Sequence, residues 1–61
     1  MINPDYPHLK PYEMVRTLDG DLMEVISYPY PDESGDTLVK VRQKDEPDTM
    51  FTVNANEVEK A

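Results

Sequence analysis

The sequence predicts an all-β domain, a small antiparallel barrel or meander with one short helical turn near its C-terminus. Three observations carry that expectation. The β-rich runs "YEMVRTL" and "LMEVISY" are separated only by "DGD", and an Asp-Gly pair between two such runs marks a hairpin because glycine takes the positive φ a tight turn requires. In "TLVKVRQ", Val39 and Val41 alternate with Lys40 and Arg42, the two-residue period of a strand with one buried face. Pro4, Pro7 and Pro11 keep a helix out of the N-terminal stretch, since each lacks a backbone donor and restricts the residue before it.

Taken in order, residues 1–11 are expected to form an extended, polyproline-like arm. Tyr6, Leu9 and Tyr12 would cover an open edge of the core. "PDYP" in this arm also has the P-x-x-P spacing of SH3 and WW ligands. Residues 12–61 form one small domain, whose first two strands pair antiparallel across Asp19-Gly20. A long loop, "SYPYPDESGDT", leads to the third strand, "TLVKVRQ". In "KDEPD", Pro47 blocks a continuing ladder and Asp48 suits a turn. "TMFTV" follows as a fourth strand, with Phe51 and Val53 facing inward. Val25 or Ile26, Val39, Val41, Phe51 and Val53 are the predicted core. In "NANEVEKA", Asn54 and Glu57 have the spacing of a capping box, which predicts a single helical turn. Val58 then points back to the core and the last residues form a brief final strand.

Four strands in a meander, a long loop after the second, a helical turn after the fourth and a stub of a fifth strand resemble the SH3-like small β-barrel. The likeness covers residues 12–61 and lies in the order of elements, with "VKVRQ" and "MFTVNANEVEK" looking most like the closing half of such barrels. An aromatic-rich loop between early strands often contributes to the ligand groove of these barrels, and "SYPYPDE" stands in the corresponding place. The resemblance implies a fold and favours interaction with a partner. It names no ligand, because this architecture hosts many unrelated functions.

Size and charge narrow the function. A chain of 61 residues has a thin core. Without cysteine or tryptophan it must rely on regular packing, a metal or oligomerisation. Thirteen acidic against six basic residues give a net charge of −7, a field that repels nucleic acid and favours basic partners. The same surface also serves solubility. The absence of cysteine fits a reducing compartment, no run approaches the length of a membrane span, and the N-terminal residues lack a basic start followed by an apolar run. The expectation is a soluble, cytoplasmic protein.

Catalytic and metal chemistry find few footholds. His8 is the single histidine, and a grouping of Ser34, His8 and Asp36 is drawn from too few residues to carry weight. Asp32, Glu33 and Asp36 lie close together in "DESGD" but lack the further oxygen ligands of a calcium loop. Zinc lacks cysteines and a second histidine, and Gly20 and Gly35 make no phosphate loop. Lys40, Arg42 and Lys44 alternate on one strand, where pairing across strands with Glu13 or Glu24 explains them better than a phosphate track.

The sequence therefore predicts a non-enzymatic, cofactor-free and metal-free protein-interaction module. In this reading it is an accessory or inhibitor protein that docks on a larger protein with a basic surface, in one form by imitating nucleic acid. The predicted binding residues are Tyr28, Tyr30, Asp32, Glu33 and Asp36. Two exposed rings held extended by Pro29 and Pro31 would supply contact area and the carboxylates would steer encounter. Direct nucleic-acid and membrane binding are disfavoured. The alternative is a structural subunit that completes its core as a homo-oligomer.

Overall fold

Short runs with a two-residue period, cut by glycine turns, fold into a single antiparallel sheet in the computed structural model, which describes residues 2–61. The strands are β1 (Met14–Arg16), β2 (Leu22–Val25), β3 (Tyr30–Pro31), β4 (Thr37–Gln43), β5 (Glu46–Asn54) and β6 (Glu59–Lys60), with a 3-10 turn at Ala55–Glu57 before β6. β4 is the hub: β2 and then β3 pair along one of its edges, and β5 along the other. β1 joins β2, and β6 returns after the 3-10 turn to pair with β1. The all-β class and the one short helical turn are as the sequence predicts. The sheet stays open: β5 pairs only with β4 and makes no ladder to β1 or β6, so the strands do not close into a barrel.

Two hairpins use the same device. Thr17 N–H donates to the Asp21 carbonyl at 3.0 Å and Gly20 N–H to the Thr17 carbonyl at 2.9 Å, while Gly20 takes φ +87. Between β3 and β4, Asp32 N–H donates to the Asp36 carbonyl at 2.7 Å and Gly35 N–H to the Asp32 carbonyl at 3.1 Å, with Gly35 at φ +94. Each is a three-residue loop whose last residue lies in the left-handed region, where glycine carries no Cβ penalty. The β4–β5 connection is tighter, with Gln43 opposite Glu46. Pro47 does not end the strand as expected. It lies within β5, where the register slips between Gln43↔Glu46 and Arg42↔Met50, and a bulge on an edge strand tolerates its missing donor.

The buried cluster comprises Leu9, Val15, Met23, Val25, Val39, Val41, Ala55 and Val58, with Tyr6 and Val53 packed against it. The predicted Val25, Val39, Val41 and Val58 are there. Phe51 is not: it remains 41% exposed. Its phase is nonetheless inward, because Val25 pairs with Val41 and Val41 with Phe51 in one cross-strand row, and directly opposed residues share a face. The row runs past the margin of the core, and its third member is only partly covered.

The N-terminal residues differ from the expected extended arm. Tyr6 N–H bonds to the Asn3 carbonyl, Leu9 N–H to that of Tyr6 and Glu13 N–H to that of Lys10, so successive turns use the prolines and drop Leu9 into the core. Tyr12 leaves the core altogether. It is 79% exposed and adopts φ 74, its N–H held by the Val25 carbonyl at 2.9 Å. At the C-terminal end the capping box is replaced by a side-chain pair: Asn54 Nδ2 donates to Glu57 Oε1 at 2.6 Å, and the Asn54 side chain makes no bond to the turn's backbone.

Candidate functional site

The long loop divides the five predicted binding residues among three settings, with Tyr28 outside any strand, Tyr30 in β3, and Asp32, Glu33 and Asp36 in the turn that follows. After Val25 the chain advances five residues to Tyr30 while β4 steps back three, from Val41 to Leu38. Ser27 to Pro29 absorb the two extra residues, so the strand does not run on and Tyr28 and Tyr30 do not share a regular face. Tyr30 sits opposite Leu38, half-buried, on the sheet's outer face. Tyr28 is 39% exposed outside any strand.

Asp32, Glu33 and Asp36 occupy the β3–β4 turn, all exposed. Ser34 Oγ lies 2.6 Å from Asp32 Oδ2, to which it donates, and 3.3 Å from Asp36 Oδ2. That hydroxyl, helped by the backbone N–H groups of Glu33 and Ser34 and opposed by partial desolvation, holds the Asp32 carboxyl below its ordinary value. The two aspartates are thus internally engaged, and Ser34 bonds to them and not to His8. No group of three His, Cys, Asp or Glu assembles as a metal site among the described residues. Arg42 pairs with Glu24, Nη2 to Oε1 at 2.7 Å and Nε to the same oxygen at 2.8 Å, which is the cross-strand pairing the sequence predicts. Glu13 pairs with Lys10 at 3.4 Å instead.

A concavity lies at the other end of β4. It is a groove of about 440 Å³ between the β1–β2 hairpin and β5. Met23, Val58 and Val53 form its apolar floor, and Phe51 and Leu18 stand on either wall. Leu18, second residue of the Thr17–Asp21 loop, is 76% exposed. Asp19, Asp21 and Glu57 are the charged residues in the lining, and no lysine, arginine or histidine joins them. Glu57 is held there by the Asn54 amide. Thr17, Gln43 and Thr52 complete the wall.

None of the five predicted binding residues lines this groove. A signal for it is in the sequence: "TLDGD" puts a leucine where hairpin turns carry polar residues, and "MF" puts two large apolar side chains on a strand opening with acidic residues and proline. Comparison with protein-family models, with curated proteins and with solved structures finds no match for this chain.

Proposed function

We propose that this chain is a small acidic protein-interaction module, an accessory or inhibitor protein that docks without catalysis on a larger protein with a basic surface. The observation that carries the reading is the groove beside Phe51: an apolar floor for anchoring side chains and a rim whose charges are all carboxylates. Desolvated apolar anchors surrounded by complementary charge are how interfaces combine affinity with orientation. The net charge of −7 extends the same preference over the whole molecule, and the order of elements resembles SH3-like barrels, which often bind partners beside such loops. Imitation of nucleic acid is a special case, in which the partner's basic surface is a phosphate-binding one. The turn carrying Asp32, Glu33 and Asp36, with Tyr28 and Tyr30 before it, is a secondary surface for the same partner. A cytoplasmic setting suits such a partner. Among the described residues no helix is long and apolar enough to cross a membrane.

The test is selection of a random dodecapeptide library on the immobilised protein. Enriched sequences should combine lysine or arginine with aliphatic or aromatic residues, and Asp19→Lys with Asp21→Lys should abolish their capture. Enrichment of acidic peptides, or capture indifferent to those substitutions, would overturn the reading. The second reading, a subunit that self-associates to complete a thin core, is favoured by the exposure of Phe51 beside Leu18. The rim carboxylates oppose it, because pairing two copies there brings like charges together. Sedimentation at micromolar concentration should give a monomer.

A further inference from the structure

The groove is bordered by an unpaired strand edge, and its direction follows from the ladder. Lys40 turns both backbone groups toward β2: its carbonyl accepts from Ile26 N–H at 2.8 Å and its N–H reaches Ser27 Oγ at 3.4 Å. Successive residues of an antiparallel strand direct their backbone groups to alternate edges. Val39 and Val41 therefore face β5, where they pair with Val53 and Phe51. Met50 and Thr52 must then aim their N–H and C=O groups away from β4, and those groups have no partner among the described residues. Thr52 pairs with Lys40, so its side chain lies on the sheet's outer face, yet it lines the groove. What Thr52 presents to the groove is the strand's edge.

Resting on the basic-partner reading, we propose that the partner binds as an added β-strand: an extended basic segment pairs with the outer edge of β5 at Met50 and Thr52 and fills the gap where the sheet fails to close. Main-chain bonds supply affinity in this mode and alternate side chains supply specificity. Partner residues opposite Phe51 and Val53 enter the groove as apolar anchors, and lysines or arginines reach Asp19, Asp21 and Glu57. A second copy is the poorer occupant because it brings its own net charge of −7 to an edge that borders three carboxylates. At its N-terminal end the edge is limited by the bulge around Pro47 and by Asp45, Glu46 and Asp48, features that discourage indiscriminate strand pairing.

The probe is a capped seven-residue peptide alternating lysine with valine, compared with a glutamate-for-lysine version and with one N-methylated on the alternate amides of a single edge. The lysine peptide should bind one to one and slow hydrogen exchange at the Met50 and Thr52 amides by about tenfold or more. N-methylation should weaken binding by about tenfold, since it removes main-chain bonds and leaves charge and side chains intact. Thr52→Pro should do the same without loss of an internal hydrogen bond, and an unchanged dispersion of amide signals would show that the variant folds. The glutamate peptide should not bind. If N-methylation changes nothing while Asp19→Lys with Asp21→Lys still abolishes binding, strand addition is wrong and the basic-partner reading survives. If the lysine peptide fails to bind at millimolar concentration, both fail. Slow exchange at Met50 and Thr52 without any peptide, rising with protein concentration, would assign the edge to a second copy and overturn the proposal.

Discussion

The Thr17–Asp21 and Asp32–Asp36 loops have almost the same backbone and opposite surroundings. Both close with one N–H to carbonyl pair, place glycine fourth in the left-handed region and end in aspartate. They project from opposite ends of β4, which at seven residues holds them about 20 Å apart. In the first, the second position is Leu18, standing over an apolar groove. In the second it is Glu33, in a turn whose aspartates are engaged by Ser34. The backbone of each loop follows from its glycine and aspartate. What each loop presents follows from its second residue and from what lies beneath, and only the first of the two borders the groove.

The largest expected effect on stability tests whether the groove end is as loosely covered as this comparison requires. Phe51→Ala should cost about 2 kcal/mol, below the ~3–5 kcal/mol of a fully enclosed ring, because a substantial part of the ring already meets water. Leu18→Ala should change stability by less than about 0.5 kcal/mol, the ordinary range for a surface position. Urea melts of the two variants check this. A Phe51→Ala variant that unfolds outright would mean that something covers the ring and that the groove is shut.

A smaller effect tests the shared backbone. Gly20→Ala and Gly35→Ala should each cost about 1 kcal/mol, from the left-handed conformation alone, since no atom lies within 4 Å of a Cβ at either position. Equal costs, read from thermal melts, would support one device used twice. A cost at one site only would break the likeness. Tyr12 tests the same energetics in reverse: at φ 74 with an exposed ring, Tyr12→Gly should stabilise by about 0.5–1 kcal/mol. A loss of stability would show that the ring holds the chain in place.

These elements also mark where the sequence was legible. The Asp-Gly hairpin and the alternating valines of β4 depend on local chemistry and a two-residue period, and both could be read directly. The phase of Phe51 was equally legible, but its exposure was not, since period assigns a face without saying what packs over it. Leu9 is a lone leucine among prolines with no period to announce it, and only the turns closed by Tyr6 and Leu9 bring it inside. Closure of a barrel requires β5 to pair far along the chain, which no local pattern encodes. Leu18 and the Met50-Phe51 pair mark unusual apolar residues in the sequence, but the groove between them exists only where that closing pairing is missing.

The smallest expected effect separates the two loops by their side-chain bonding. In the first, the Asp21 N–H donates to Thr17 Oγ1 at 3.2 Å. In the second, the Ser34 hydroxyl is the main cause that lowers the Asp32 carboxyl from 3.8. A carboxyl whose folded pKa lies below its unfolded value adds stability above the unfolded value and loses it as pH falls through the folded one. The pH dependence it causes is therefore confined to the acid range around and below 3.8, and there is none at neutrality. Ser34→Ala should raise the Asp32 midpoint toward the ordinary value in a carboxyl-detected NMR titration and leave the thermal melt at neutral pH almost unchanged, since the group is fully exposed and screened. The same variant should bind the lysine peptide as the parent does, because this loop does not border the groove. An Asp32 midpoint that does not move would remove the hydroxyl as its cause. Weakened peptide binding would tie the second loop to the groove itself and erase the contrast between the two ends of β4.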